Sequence, residues 1–168
     1  DLAARVQPPT VSTTQEGVTI QGTGGLLTNL GRCCNPVLGD QIVGYVTRGR
    51  GVTVHRQDCP SVPGMARERM ITVEWGGKML NRYPVPVIIV AHDREGLMRD
   101  VGAAIAGEKV NVTDLRVKTD KNVATFLIVV EVESAAQLSS LLTKIERVPN
   151  VMEARRKALE GSKVREVE

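Results

Sequence analysis

The chain has 168 residues, of which 42% are hydrophobic and 24% are charged, and its formal net charge is +3. This length exceeds a typical domain of roughly 100–150 residues and favours two small compact units. The mild basic excess is compatible with anionic partners without requiring them, and no run of about eighteen apolar residues is present. The opening stretch "DLAARVQPPT" lacks the order of a signal peptide and contains no initiator methionine. We therefore expect a cytoplasmic chain that contacts no membrane and is a piece of a longer protein.

The first part of the chain contains several short β-prone runs. The run "GVTIQG" at residues 17–22 predicts an edge strand, and residues 41–47 and 52–56 predict two strands joined as a hairpin. The following "QDCPSVPGMARER" predicts a short helical turn or loop, and residues 70–75 predict another strand. Because so small a sheet has few core side chains, it would be marginally stable without a metal or another cross-link.

All three cysteines and one of the two histidines lie between residues 31 and 60. Cys33, Cys34, His55 and Cys59 supply three sulfurs and one imidazole, a ligand set that suits structural zinc. The adjacent pair departs from the usual spacing, because neighbours on a regular strand point to opposite faces, although the "NPVLGD" that follows favours a bend. The alternative is that the cysteines are small buried hydrophobic residues and that His55 is a hydrogen-bonded core residue. A disulfide scaffold is disfavoured, since three cysteines cannot all pair within one chain.

The predicted hairpin ends in the tip "TRGRG". Gly49 and Gly51 permit a tight turn, while Arg48 and Arg50 carry guanidinium groups suited to forked contacts with phosphate oxygens. The alternative is an ordinary glycine turn with solvated arginines. The chain has only one tryptophan, two tyrosines and one phenylalanine, so bases have few rings on which to stack. Any RNA contact is therefore expected to depend on phosphates and shape.

After Trp75 the stretch "GGKMLNRYP" has no apolar periodicity and predicts a domain boundary. The rest of the chain predicts the order βαββαβ, which is that of a ferredoxin-like unit. The predicted elements are the strand "VPVIIVAHD", a helix at 95–107, the strands "KVNVTDLRVKTD" and "NVATFLIVVEVE" joined by the turn "TDKN", a helix at 134–147, and the strand "NVMEARRKA". The fold class predicted for the whole chain is therefore α+β.

Both predicted helices are amphipathic, with Asp93 and Ser134 as their expected N-caps. Their apolar faces comprise Leu97, Val101, Ala104 and Ile105 in the first helix, and Leu138, Leu141, Leu142 and Ile145 in the second. In the strand after Asn122, one set of alternating residues can meet these helices, yet the opposite set is nearly as apolar. That opposite set consists of Val123, Thr125, Leu127 and Val129. We expect a second copy, another domain or a larger partner to cover this face.

Two stretches resemble a known family. The segment "CCNPVLGDQIVGYVTRGRGVTVHRQDCP" resembles the cysteine-rich zinc-finger region of the Rel/SpoT family, the (p)ppGpp synthetases and hydrolases of the bacterial stringent response. The segment "VAHDREGLMRDVGAAIAGEKVNVTDLRVKT" resembles the ACT domain that ends those proteins. The resemblance covers residues 17–157. It implies that this chain is the non-catalytic, regulatory C-terminal part of a GTP pyrophosphokinase and has no catalytic residues of its own.

The resemblance also implies domain limits and a metal. Residues 1–16 would be a linker, 17–75 the cysteine-rich zinc-finger-like domain, 76–84 a second linker, 85–157 the ACT domain and 158–168 a C-terminal tail. The family's two adjacent cysteines, histidine and third cysteine correspond to Cys33, Cys34, His55 and Cys59, which implies that zinc is bound. Docking of the family on the ribosome near the tRNA further implies that Arg48 and Arg50, with Arg32 and Arg56 as further candidates, contact RNA.

ACT domains commonly bind amino acids at the turn between their first strand and first helix, here "DREGLM". The resemblance therefore implies an effector site in which the amides at a helix N-terminus bind a carboxylate. A homodimer formed through the ACT domain would complete this site. The candidate residues are Asp93, Arg94, Gly96 and Leu97 of one copy with Asn111 and Val112 of the other. The alternative is that Asp93 only caps the helix and that Gly96 only forms the turn.

Two hypotheses for the function follow. In the first, the chain contacts the ribosome and tRNA and relays control to catalytic domains elsewhere in a parent protein. In the second, it is an amino-acid-sensing module that acts independently of the ribosome. A stand-alone enzyme is a more distant third, because a cysteine and histidine pair here lacks an identifiable substrate pocket.

Overall fold

The structure is a computed structural model that describes residues 11–13, 19–49, 51–76 and 82–157. Within these ranges the chain divides into two compact units. The first unit comprises residues 11–36 and 41–76, and the second comprises residues 37–40 and 82–157.

The described part of the first unit consists of seven short strands in two sheets. One sheet has the order β1-β2-β7, with β1 at Val11–Thr13, β2 at Thr19–Gln21 and β7 at Glu74–Trp75. The other has the order β3-β5-β4-β6, with β3 at Thr28–Leu30, β4 at Ile42–Thr47, β5 at Gly51–Arg56 and β6 at Met70–Ile71. Two 3₁₀ turns, Val62–Gly64 and Arg67–Arg69, lie between β5 and β6.

The predicted hairpin is present as the antiparallel pair β4 and β5, whose register ends at Thr47 opposite Gly51. Gly51 has a left-handed φ of +78°, and a Cβ at this position would lie 2.1 Å from the carbonyl oxygen of Leu27. Only glycine fits here, because a side chain would collide with the backbone that enters β3. The hairpin and β3 are thereby held close together.

Two strand predictions in this unit are wrong in detail. The run at residues 17–22 forms β2, but β2 lies in the middle of the described three-stranded sheet rather than at the edge of the hairpin sheet. The run at residues 70–75 forms two strands, because β6 pairs with β4 whereas β7 pairs with β2. Val73, which is 3% exposed, turns into the core between them. The chain therefore changes sheets where a single strand was predicted.

The second unit confirms the predicted βαββαβ order. Its elements are β8 at Tyr83–His92, α1 at Leu97–Gly107, β9 at Asn111–Asp120, β10 at Val123–Val132, α2 at Ala135–Glu146 and β11 at Val151–Arg156. The four strands form one antiparallel sheet in the order β11-β8-β10-β9. The turn between β9 and β10 uses left-handed backbone at Lys121 and Asn122, as expected for a tight hairpin.

The core of the second unit lies between the helices and one face of this sheet. Its largest fully buried side chains include Phe126, Ile128 and Ile89 from the sheet and Leu141 and Ile145 from α2. On the opposite face, Leu127 is exposed, while Val123, Thr125 and Val129 are half-buried. Burial thus follows the alternation that the sequence of β10 predicts.

The two predicted helix caps have different outcomes. Ser134 caps α2, since its hydroxyl accepts a hydrogen bond of 3.2 Å from the backbone N–H of Gln137. The prediction for Asp93 is wrong, because the N-cap of α1 is Gly96, with φ +80° and no side-chain cap. The N–H of Asp93 donates instead to the carbonyl of Asn122 at 2.8 Å. This bond keeps Asp93 in line with β8, and the helix begins later.

Neither α-helix in the described ranges is long and apolar enough to cross a membrane.

Candidate functional site

A parallel strand pair assembles the cysteine and histidine cluster. β3 runs alongside β5 with Leu30 opposite Val54, and the N–H of Gly31 extends this pairing by donating to the Val54 carbonyl at 2.7 Å. The chain turns immediately after β3, at Cys33 and Cys34, and His55 follows Val54 on β5. The cysteine pair and the imidazole therefore meet at the same end of the sheet.

The backbone around the cysteine pair explains how adjacent residues can point to one site. Cys33 and Cys34 lie in a turn closed by a 3.0 Å hydrogen bond from the Asn35 N–H to the Gly31 carbonyl. Asn35 leaves the turn with a left-handed φ of 47°, a conformation that asparagine tolerates better than most residues. Because the pair is not on a regular strand, the sequence-based objection to its spacing does not apply.

The four candidate ligand atoms are close to one another. The Cys33 Sγ lies 3.1 Å from the His55 Nδ1, 3.6 Å from the Cys59 Sγ and 3.8 Å from the Cys34 Sγ. All four atoms lie within 4.8 Å of one another. Sulfur at about 2.3 Å and nitrogen at about 2.0 Å from a tetrahedral zinc are themselves roughly 3.5–3.8 Å apart. The cluster therefore has the donor set and the spacing needed to hold one metal ion.

Two further groups contact the sulfurs. The backbone N–H of Arg56 donates to the Cys34 Sγ at 3.3 Å, and the Ser61 hydroxyl lies 3.0 Å from the Cys59 Sγ. Hydrogen bonds to sulfur orient a ligand and stabilise its negative charge. Sequence reasoning did not identify Ser61, although its position two residues after a candidate ligand was a usable signal.

The cluster also perturbs the ionisation of its thiols. The hydrogen bond that Cys33 shares with Cys34 lowers the pKa of Cys33 to about 4, helped by His55 and opposed by burial. The same hydrogen bond raises the pKa of Cys34, and burial acts in the same direction. Cys33 and Cys59 are buried and Cys34 is half-buried. The first proton is thus easily lost from this group, which favours thiolate ligation of a cation.

The predicted RNA-contacting arginines have different environments. Arg48 and Arg32 are exposed, whereas Arg56 forms an ion pair with Asp58, with Nη2 and Oδ2 2.7 Å apart. Arg50 lies outside the described residues. The guanidinium of Arg69, which sequence reasoning did not single out, stacks 5.2 Å above the ring of Tyr45. Arg48 and Arg32 are thus the described candidates that a phosphate can reach most directly.

The predicted effector residues of the second unit also differ in availability. Arg94 is engaged, because its Nη2 donates to Asp100 at 2.9 Å and to the Pro149 carbonyl at 3.1 Å. Leu97 is buried and 3% exposed. Asp93 is exposed, and Gly96, the N-cap of α1, is half-buried.

The two candidates on the neighbouring strand, which were expected to act from a second copy, lie on β9. Asn111 donates to the Glu131 carboxylate at 2.7 Å, and Val112 is half-buried. The assignment of both sets of residues to an effector site stays a prediction.

Comparison with known sequences separates the chain into two familiar domains. The sequence model of the RelA/SpoT RIS domain matches residues 18–76, and that of the ACT domain matches residues 80–156. The chain carries the RIS and ACT regulatory domains of the Rel/SpoT family. The predicted resemblance and α+β fold class are confirmed, as is the prediction that these are regulatory rather than catalytic domains. The cysteine and histidine cluster belongs to the RIS domain.

Several relatives share both domains. The chain is 39% identical over 150 residues to GTP pyrophosphokinase of Escherichia coli strain K12, covering 86% of this chain and 20% of that protein. It is 38% identical over 164 residues to the bifunctional (p)ppGpp synthase/hydrolase RelA of Mycobacterium tuberculosis, covering 93% of this chain and 22% of that protein. The chain thus spans about a fifth of the length of the curated relatives it matches.

A solved structure is similar to the ACT domain. It is the ACT domain from GTP pyrophosphokinase of Chlorobium tepidum, with a TM-score of 0.43 and 18% sequence identity. The similarity covers 46% of this chain and 100% of that one.

Proposed function

We propose that this chain is the regulatory part of a (p)ppGpp synthetase/hydrolase that contacts ribosomal RNA and tRNA and relays control to the catalytic domains of its parent protein. The observation that carries the proposal is the pairing of a RIS domain with an ACT domain in a chain that is 39% identical to a protein named GTP pyrophosphokinase. In this proposal the chain itself performs no chemistry. Nucleotide synthesis and hydrolysis belong to parts of the parent that lie outside it.

Zinc bound by the RIS domain is the first component of this proposal. Cys33, Cys34, His55 and Cys59 would hold the ion, which supplies a structural cross-link between the turn after β3 and the end of β5. Elemental analysis of chain purified without chelator is expected to give about one zinc per chain. A freshly reduced preparation free of zinc would contradict this assignment.

Phosphate contact at the hairpin tip is the second component. Arg48 is exposed beside Gly49, which has φ +80°, and a Cβ added at Gly49 would meet no atom within 4 Å. A tip of this kind lets an RNA backbone approach closely, and a guanidinium binds phosphate oxygens in a forked geometry. Binding of this kind weakens with salt because counterions are released.

Charge reversal at the tip tests the RNA contact. Changing Arg48→Glu together with Arg50→Glu is expected to weaken ribosome binding by the parent protein and to lower its salt slope by about one or two units. Arg82→Glu together with Arg147→Glu, two exposed changes in the ACT domain, serves as the charge-matched control. Equal binding by the tip variant at every salt concentration would remove the RNA assignment.

Self-association through the ACT domain is the third component. The sheet ends in β9, and nine of the ten residues of β9 are exposed. Among the described residues, no strand pairs with its outer side. Exposed edges of this kind readily pair with another strand. Sedimentation of the 168-residue chain at several concentrations tests whether it dimerises.

An amino-acid sensor is the second candidate function, and one observation favours it. α1 begins at Leu97 after the N-cap residue Gly96, which provides no side-chain cap, and exposed Asp93 lies three residues before Gly96. The amides there can bind a carboxylate and Asp93 can bind an ammonium group. Thermal shifts with twenty amino acids test this function, and Gly96→Arg should abolish any shift. Shifts that survive this change would place the effector elsewhere.

A further inference from the structure

Ser61 follows Cys59 by two residues and stands immediately before the 3₁₀ turn Val62–Gly64. A serine that caps a helical turn has extended backbone, and its hydroxyl accepts a hydrogen bond from a backbone N–H of the turn. Ser61 does neither, because its φ of −79° and ψ of −19° are helical and its side chain makes no capping bond. The Gly64 N–H donates to the backbone carbonyl of Ser61 at 3.2 Å instead. The hydroxyl is therefore left for another partner.

That partner is the sulfur of Cys59. The Ser61 Oγ lies 3.0 Å from the Cys59 Sγ, and among the described residues this is the one hydrogen bond of the hydroxyl. Cys59 is only 2% exposed, so its sulfur has little access to water. A metal is bound by thiolates rather than thiols, and a thiolate has no proton to donate. In the metal-bound chain the hydroxyl must therefore be the donor.

The sulfurs of the cluster differ in the groups that contact them. Cys33 contacts the other three ligands, and Cys34 accepts from the backbone N–H of Arg56 at 3.3 Å. Three thiolates and a neutral imidazole bring an excess of about one negative charge to a zinc ion, and hydrogen bonds to sulfur offset this excess. At Cys59 the donor is a side chain, so a single substitution removes it.

We propose that Ser61 is a positioning residue of the metal site, whose hydroxyl donates to the Cys59 thiolate and holds that sulfur toward the ion. This inference rests on the zinc assignment proposed above. A hydrogen bond to an ionised acceptor is stronger than one to a neutral group, so the hydroxyl stabilises the thiolate and makes its lone pairs less available to an electrophile. Loss of the hydroxyl should therefore weaken zinc binding and make Cys59 more reactive, without changing the reactivity of Cys33 and Cys34.

Two substitutions of Ser61 in the 168-residue chain test the role of the hydroxyl in metal binding. Ser61→Ala should lower the zinc affinity about tenfold, the usual effect of removing a group that orients a metal ligand. Ser61→Thr retains a hydroxyl and should bind zinc like the unaltered chain. Ser139→Ala, which removes an exposed hydroxyl from the ACT domain, is the matched control. Competition with a chromophoric chelator measures each affinity.

Alkylation in the presence of excess zinc tests the effect on the sulfur itself. Iodoacetamide forms an S–C bond with a thiolate and releases iodide. Trypsin then separates the cysteines, because cleavage after arginine gives one peptide of residues 33–48, with the cysteine pair, and another of residues 57–67, with Cys59. Cys59 should react about threefold faster or more in Ser61→Ala than in the unaltered chain. The cysteine pair should keep its rate, because the donor to Cys34 belongs to the backbone.

The outcomes separate the role of Ser61 from the zinc assignment itself. Unchanged zinc affinity and unchanged Cys59 reactivity in Ser61→Ala would overturn the positioning role and leave the zinc assignment intact. Equal acceleration at all three cysteines, or a Ser61→Thr chain that behaves like Ser61→Ala, would also overturn it. An unaltered, freshly reduced chain that contains no zinc would overturn both proposals. Fluorescence of Trp75, which lies in β7, verifies that each variant remains folded.

Discussion

The two units of this chain are stabilised in different ways. In the described RIS domain the longest strands have six residues, whereas three strands of the ACT domain have ten. The buried polar residues of the described chain, Thr23, Thr28 and His55, all lie in the RIS domain. The ACT domain instead buries Phe126, with leucine, isoleucine and valine side chains, between two helices and a sheet.

This difference indicates which interaction each unit depends on. Burial of apolar side chains contributes roughly 1.5–3 kcal/mol per fully buried residue, and the ACT domain has enough of them for a conventional core. The RIS domain brings three thiols and an imidazole together at one end of its four-stranded sheet. We therefore expect the RIS domain to depend on a metal and the ACT domain to be indifferent to it.

Removal of a metal ligand should have the largest effect, because it should destabilise the RIS domain and leave the stability of the ACT domain unchanged. Cys59→Ser is expected to abolish the cooperative unfolding transition of the RIS domain and to leave that of the ACT domain in place, because structural zinc contributes about 10 kcal/mol or more to folding. Trp75, the only tryptophan in the chain, lies in β7 of the RIS domain. Its fluorescence reports that unit, and helical circular dichroism reports the ACT domain.

Asp58→Asn is the control for this change, since Asp58 is exposed and lies outside the cluster. It should retain the tryptophan-detected transition and its sensitivity to chelator. Loss of both transitions in Cys59→Ser would contradict the independence of the two units.

Truncating a side chain in the core of the ACT domain should destabilise that domain and leave the RIS domain unchanged. Phe126→Ala is expected to lower the free energy of unfolding of the ACT domain by about 3–5 kcal/mol, because Phe126 is 2% exposed and its removal leaves a cavity. Zinc content and the Trp75 transition should be unchanged. Urea unfolding followed by circular dichroism measures the effect. Leu127→Ala, at the neighbouring position that is 38% exposed, should cost much less, and an equal loss would contradict the assignment of the two sheet faces.

A substitution that crowds His55 should lower the zinc affinity of the RIS domain without unfolding it. A Cβ added at Gly31 would lie 3.0 Å from the His55 Nδ1 and 3.1 Å from the Val54 carbonyl oxygen. Gly31→Ala is therefore expected to reduce zinc affinity about tenfold, as other displacements of metal-ligand supports do. Competition with a chromophoric chelator measures it. Gly64→Ala, where nothing lies within 4 Å, should have no effect, and equal zinc affinities for the two variants would contradict the expected crowding of His55.

Removing the Asp100 carboxylate should produce the smallest effect, in the ACT domain. The hydrogen bond from Arg94 lowers the pKa of the Asp100 carboxyl, and Arg99 acts in the same direction. Because the folded pKa is below the ordinary value of about 3.9, this stabilisation is present above that pH and is lost as pH falls through the lowered pKa. Asp100→Asn should lower the urea midpoint slightly at pH 7 and should match the unaltered chain near pH 2. A difference that grows on acidification would contradict this.

Local pattern was enough to predict the architecture of the ACT domain. The alternation in β10, the 3.6-residue spacing of Leu138, Leu141 and Ile145, and the cap at Ser134 all depend on residues a few positions apart. These short-range preferences agree with the final packing, so the sequence predicts the βαββαβ order. The same holds for the identity of the four candidate ligands, which the chemistry of sulfur and imidazole singles out.

Contacts between residues distant in sequence decided the rest. The parallel pairing of Thr28–Leu30 with Val52–Val54 brings the cysteine pair to His55, and the hydrogen bond from Asp93 to Asn122 keeps Asp93 on the strand side of the N-cap Gly96. Arg94 looked available in the sequence, but its Nη2 donates to the carbonyl of Pro149, 55 residues further along the chain. A backbone hydrogen bond or ion pair depends on the position of its partner in space, and only the tertiary structure fixes that position.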